Sequence, residues 1–264
     1  MIRTCLLGLT FFLTGTPAGA AQTQPDVVPA ANPARPTVST PATLTPVGYL
    51  QFETGYLAAW HSPEFSAQSS FNEVAKFAVS RRIELLTAWE PFARSRIAGQ
   101  YSNSPGGLAL GVQGVVHDGE GARPTIALSY FHTVYGGSAP DLDIGSAQNS
   151  ATILASANVK GFHYDANFLL TDVTDGPIRR AQYGQTLSVS HALFGKFGLS
   201  GEIWHFTQPF LQSHAAGNLW AVSYNARQNL VFDAGFNRGL TSTSTRWAVF
   251  AGFTYLLPHK ISFH

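Results

Sequence analysis

The side chains able to do chemistry are few and scattered. Carboxylates stand at Glu53, Glu84, Glu90, Asp165, Glu202 and Asp233, and amides at Gln113, Asn167 and Asn237. His163 precedes Asp165 by two residues, a spacing that puts both on one face of an extended strand. Such a pair could orient an imidazole for proton transfer or, with a cross-strand partner, hold a metal ion. On a polar strand face the same pair also arises by chance. A nucleophilic serine needs a histidine on its own face. His205 sits among Phe197, Leu199 and Ile203 with no serine beside it, and His191 follows Leu187 and Val189 as an interfacial residue would. No glycine-rich loop opens a helix, so nucleotide binding has no support. The expectation is a protein that is not an enzyme, with no catalytic residue, no metal and no cofactor.

The elements that carry these residues alternate with a period of two. In Phe162 to Leu170, Phe162, Tyr164, Ala166, Phe168 and Leu170 take one face, while His163, Asp165 and Asn167 take the other. Gly48 to Trp60 repeats the pattern, with Leu50, Phe52, Tyr56 and Trp60 opposite Gln51 and Glu53. So do Leu230 to Asn237 and Trp247 to Tyr255. Extended along the chain, the rhythm predicts about 12 strands, near 48–60, 70–80, 83–92, 107–117, 124–135, 148–158, 162–172, 181–193, 197–206, 218–226, 229–238 and 246–257. Links after the even-numbered strands are short, as at Arg81-Arg82 or Phe194 to Lys196. Links after the odd-numbered ones are longer, as at Ala93 to Gly106 or Thr207 to Gly217. That is an antiparallel meander with two unlike ends.

Composition bounds what this meander can be. Of 264 residues 45% are hydrophobic and only 12% charged, about half the usual charged share. Disorder over the whole length is excluded, since it needs high charge and low hydrophobicity. Sixteen basic against 15 acidic residues leave no basic footprint for nucleic acid. Residues 1–20 read as a signal peptide: Arg3, a short apolar run from Cys5 to Leu13, then Ala18-Gly19-Ala20. Cleavage would remove the single cysteine and with it any disulfide. Residues 21–46 carry Pro25, Pro29, Pro33, Pro36, Pro41 and Pro46 and almost no large apolar side chain, which predicts a disordered linker rather than a plug. Residues 47–264 form the β domain.

Alternation alone does not say which solvent the apolar face meets. In a soluble barrel it faces a core; in an outer-membrane barrel it faces lipid and the polar face lines the lumen. Strands of ten to thirteen residues match a tilted bilayer span, whereas soluble strands average about five to six. An even strand number, short turns at one end, long loops at the other, and aromatics such as Trp60, Trp89, Phe162, Phe197, Trp247 and Tyr255 near strand ends favour the membrane. The predicted fold is an all-β transmembrane antiparallel barrel with short periplasmic turns and longer outer loops.

Several segments resemble one family. They are Gln51-Phe52-Glu53-Thr54-Gly55-Tyr56, the turn into Arg82-Ile83-Glu84-Leu85, Phe232 to Thr241, and Trp247 to Tyr255. The family is the outer-membrane transporters named after the meta-pathway of phenol degradation, and the likeness covers most of Val47 to Tyr255. It implies passage of small, often aromatic or apolar, compounds and brings no catalytic motif. Such barrels usually end on an aromatic residue read by the barrel-assembly machinery. Here Pro258 interrupts the last strand, so the signal lies at Tyr255-Leu256-Leu257 or at Phe263.

With the polar face inward, Glu53, Glu90, Gln113, His163, Asp165, Asn167, Glu202 and Asp233 become candidate lumen-lining residues, together with Glu84 and Asn237. Lys76 is placed to pair with one of the acids. Small inward residues such as Gly111, Gly184 and Gly235 leave space; Phe131, Leu169, Trp204 and Phe250 narrow it. The expected function is a narrow pore conducting small solutes across the cell outer membrane of a Gram-negative type cell. Its expected partners are outer-membrane lipid, the barrel-assembly machinery and the solute. The alternative is a structural or adhesive barrel with a filled lumen, working through loops such as the one holding Asp141 and Asp143.

Overall fold

A computed structural model describes residues 28–140 and 147–261. The signal segment, residues 21–27, the loop with Asp141 and Asp143, and Phe263 lie outside the described residues.

Thirteen strands follow one another: β1 (Leu50–Trp60), β2 (Ala67–Ala78), β3 (Ile83–Ile97), β4 (Gln100–Ser104), β5 (Leu108–His117), β6 (Thr125–Tyr135), β7 (Ala147–Val159), β8 (Phe162–Asp175), β9 (Ile178–Ala192), β10 (Phe197–Gln208), β11 (Ser213–Arg227), β12 (Leu230–Gly239) and β13 (Trp247–Leu256). All pairings are antiparallel. β1 pairs with both β2 and β13, and β2 with β3, so the sheet closes on itself. β4 pairs with the end of β3, in a hairpin above the ring, and β5 takes over beside β3 lower down. The wall is therefore the closed barrel of 12 strands that the sequence predicts, and closure leaves no edge unpaired.

The strands run further than predicted at the long-loop end. β3 reaches Ile97 and β8 and β9 meet in a hairpin with only residues 176–177 between them. A bulge explains β3. The register shifts between Phe71 and Glu73, opposite Glu90-Pro91, and the missing N–H of Pro91 costs no ladder bond there. Past the bulge the outward side switches from Leu85 and Trp89 to Phe92, Arg94 and Arg96.

The apolar face points outward. Phe52, Phe168 and Phe232 are exposed on the outer wall, while Glu53, Asp165 and Asp233 are buried inside. Phe253 shares the outer face but is half-buried, beside Phe232 at 6.4 Å between ring centroids. A core-forming barrel would show the reverse. This belt of exposed Leu, Val, Ile and aromatic side chains is what hydrocarbon covers in a transmembrane barrel.

The linker departs most from expectation. Residues 28–46 are not a disordered tail: they cross the lumen as an ordered strap before the chain turns into β1. Its small side chains and prolines, which argue against a core of its own, suit a segment filling the space that another core leaves. Ser39 and Ala42 are completely buried within the barrel.

Candidate functional site

The strap and the inward wall residues form one site. A proline-rich segment without a neighbouring strand cannot satisfy its own backbone, and its buried groups need partners in the wall. The strap N–H groups turn instead to wall side chains and one turn carbonyl. Ala31 donates to the Gln228 carbonyl at the short-turn rim, over 2.8 Å. Asn32 N–H donates to Gln51 Oε1, and Gln51 Nε2 donates back to the Asn32 carbonyl, each over 2.8 Å. Ala34 and Arg35 donate to the two oxygens of Glu53, over 3.1 and 3.2 Å. Val38 and Ser39 donate to the two oxygens of Glu202, each over 2.7 Å, and the Ser39 hydroxyl adds a third bond of 2.6 Å. Asn167 clasps Thr40 from both sides: Thr40 N–H to its Oδ1 over 2.7 Å, its Nδ2 to the Thr40 carbonyl over 2.9 Å. Gln113 donates to the Pro41 carbonyl and Ser156 accepts from Ala42 N–H. Ser156 in turn donates to Asp165. Thr45 binds Glu84 through its N–H and its hydroxyl as the chain returns to the short-turn end.

Buried charge is compensated within the same set. Glu53 pairs with Lys76 at 2.5 Å, both nearly inaccessible. Asp233 takes both Nε and Nη2 of Arg35, at 3.2 and 2.9 Å. A two-toothed arginine–carboxylate pair adds directional fit to charge attraction. Space for that guanidinium comes from Gly55 and Gly252, which face each other across β1 and β13. A Cβ at either would collide with it.

Of the candidate residues, Glu53, Gln113, Asn167, Glu202 and Asp233 hold the strap directly. Asp165 does so through Ser156. His163 belongs to the same wall but bonds Asp165 and Asn158, at 3.1 and 2.9 Å, rather than the strap. Glu90 sits at the β3 bulge and lines the chamber above the strap. Sequence reasoning missed Arg35, Ser39 and Ser156. The repeated polar side chains inside, too many acids for one lysine, were the signal that a partner rich in N–H groups and one more cation was due. Among the described residues no group of three or more potential metal ligands forms.

The strap divides the lumen. Towards the short-turn end lies a cavity of about 320 Å³, between Pro33, Pro41, His163, Ser188 and Ser200. Towards the long-loop end lies one of about 400 Å³, lined by Arg35, Leu57, Trp204, Phe206, Leu219 and Phe250. A third, of about 260 Å³, lies between Val38, Thr40 and the wall at Phe131, Leu154 and Leu169. Trp204 and Phe206 stack at 5.4 Å, and the Trp204 indole N–H donates to Asn237 over 2.8 Å.

No family model and no curated protein matches the chain. Solved structures do. An outer membrane channel from Pseudomonas putida F1 aligns with a TM-score of 0.57 and 13% identity over 82% of this chain and 98% of its own. The KdgM porin in complex with disordered oligogalacturonate gives 0.54 and 13%, over 80% and 99%. The NanC porin gives 0.52 and 9%, over 79% and 100%. At such identities the likeness is one of fold, and the fold is that of outer-membrane channels and porins.

Proposed function

We propose that this chain is an outer-membrane conduit for small solutes, gated by its own strap. The observation that carries this reading is the pair of chambers, one at each end of the lumen, both lined by Arg35, Pro36 and Thr37 of the strap that separates them. The strap is attached through polar side-chain contacts and has no β ladder to the wall. A segment held in this way can leave without opening the barrel. The aromatic lining at Trp204, Phe206 and Phe250 favours small aromatic or apolar cargo, in keeping with the resemblance to the meta-pathway family of phenol degradation. The remaining parts of the proposal are export through the 1–20 signal peptide, insertion by the barrel-assembly machinery and residence in outer-membrane lipid. A structural barrel with a permanently filled lumen is the second reading, favoured by the same clasps.

Planar-bilayer conductance separates the two. A chain beginning at residue 21 should show rare, brief openings, and one beginning at Pro46 a steady conductance. A strap-free barrel that stays closed would hand the case to the structural reading.

A further inference from the structure

Arg94 and Arg96 stand apart from the other charges of the outer wall. On β3 the outward side chains from Ile83 to Phe92 are Ile83, Leu85, Thr87, Trp89 and Phe92. Nine steps along a tilted strand rise about 23 Å, close to the roughly 25 Å apolar band of such barrels. The two arginines follow directly, one and two rows above Phe92 on the same face. They therefore sit where hydrocarbon gives way to headgroups, at the long-loop end.

The surroundings form a concave site. Across the sheet from Arg94 stand Ser69 and then Ala58; across from Arg96 stand Ala67 and then Trp60. The small Ser69, Ala58 and Ala67 leave a depression of about 360 Å³ bounded by Tyr56, Trp60, Arg94 and Tyr101. Tyr101, on β4, holds both cations: its ring centroid is 4.7 Å from Cζ of Arg94 and 5.6 Å from that of Arg96. Among the described residues neither guanidinium has a carboxylate within ion-pair reach. Other outer arginines do not share one ring as a pair: Arg238 stands singly over Trp247, 4.7 Å from its centroid, and Arg180 over Phe210 at 5.1 Å. Arg179 pairs with Asp172 at 2.6 Å, and Arg180 donates to the Pro209 carbonyl over 2.6 Å.

Two adjacent cations with no carboxylate partner among the described residues, fixed over an aromatic ring at headgroup level and flanked by Tyr56 and Trp60, match a ligand with phosphates on a sugar and acyl chains below. We infer that this depression binds the phosphorylated glycolipid of the outer leaflet, its phosphates on Arg94 and Arg96 and its chains along Phe71 and Phe92. The inference rests on the membrane reading of the barrel and goes beyond conduction, because it concerns the outside of the wall.

Native mass spectrometry of the folded chain in detergent, titrated with bisphosphorylated lipid A, tests it. Heat-modified mobility after insertion into vesicles is read first. The wild type should prefer bisphosphorylated lipid A to its dephosphorylated form and to phosphatidylglycerol. The double variant Arg94→Gln/Arg96→Gln should lose about thirtyfold in affinity. The control Arg179→Gln/Arg180→Gln should stay within about threefold. Equal binding of the three lipids, or an equal loss in the control, would overturn the site while leaving the barrel intact. A wild type that never inserts would overturn the membrane reading, and the site with it.

Discussion

The wall and the strap are built by opposite means from the same chain. In the wall every strand is held by main-chain ladders on both sides, so side chains are free to sort by solvent: Phe168 to lipid, Asn167 to the lumen. In the strap the prolines remove donors and no ladder forms. Side chains of the wall must supply what a neighbouring strand would have given, as Glu53 and Glu202 do by accepting paired N–H groups. The wall's order is cooperative and closed. The strap's order is a sum of separate clasps, each worth on the order of 1 kcal/mol or somewhat more when charged. One region should fail as a whole and the other by degrees.

The sharpest way to break that contrast is a charge on the outer wall. Phe168→Arg places a cation opposite hydrocarbon and should destabilise the barrel by about 2–4 kcal/mol near the midplane. Urea titration of the protein in lipid vesicles, followed by heat-modified gel mobility, reads the loss. An unchanged midpoint would mean that Phe168 does not face lipid.

The same contrast explains what the sequence disclosed. Where lipid meets one face, alternation is enforced residue by residue, so Phe52/Glu53 and Phe168/Asn167 could be assigned to sides from sequence alone. Past the apolar band that pressure ends. Arg94, Ser95 and Arg96 read as loop although β3 continues through them, and the bulge at Glu90-Pro91 has already switched the parity. The polar residues of the candidate site were legible as inward-facing, but their purpose was not. The excess of inward acids signals that N–H donors are missing, but a partner that contributes mainly backbone N–H groups leaves no side-chain pattern of its own to say which segment supplies them. Residues 28–46 carry the composition of a linker because composition records the lack of a self-made core, and a borrowed core looks the same.

Within the strap, the largest effect should come from the arginine clasp. Asp233→Asn leaves the Arg35 guanidinium with a neutral partner and should weaken strap docking by about 1.5–3 kcal/mol, the range for hydrogen bonds to charged groups. Barrel stability in urea should hardly change. The docking equilibrium is readable through Ala42→Cys, a completely buried position, in a chain lacking residues 1–20 and hence any other cysteine. Maleimide labelling of that thiol in the folded barrel should speed up by about ten- to a hundredfold when Asp233→Asn is added. If labelling quickens only in step with loss of the heat-modified band, the strap and wall unfold together and the distinction between them fails.

The smallest effect expected is at Asn167. Its amide accepts from Thr40 N–H and donates to the Thr40 carbonyl, both neutral groups. Asn167→Ala removes both bonds but also opens room near the 260 Å³ cavity, where water can reach the strap and replace part of what is lost. The net cost to docking should be about 1 kcal/mol, or roughly fivefold in Ala42→Cys labelling. Its neighbour Phe168 lies one residue along the same strand and acts on the other solvent. Combining Asn167→Ala with Asp233→Asn should add their effects, because the two clasps grip the strap at Thr40 and Arg35 and share no partner. A combined effect much larger than the sum would mean that each clasp supports the other through the strap. A combined effect much smaller would mean that one clasp already controls release, and the image of a strap held by independent grips would have to be given up.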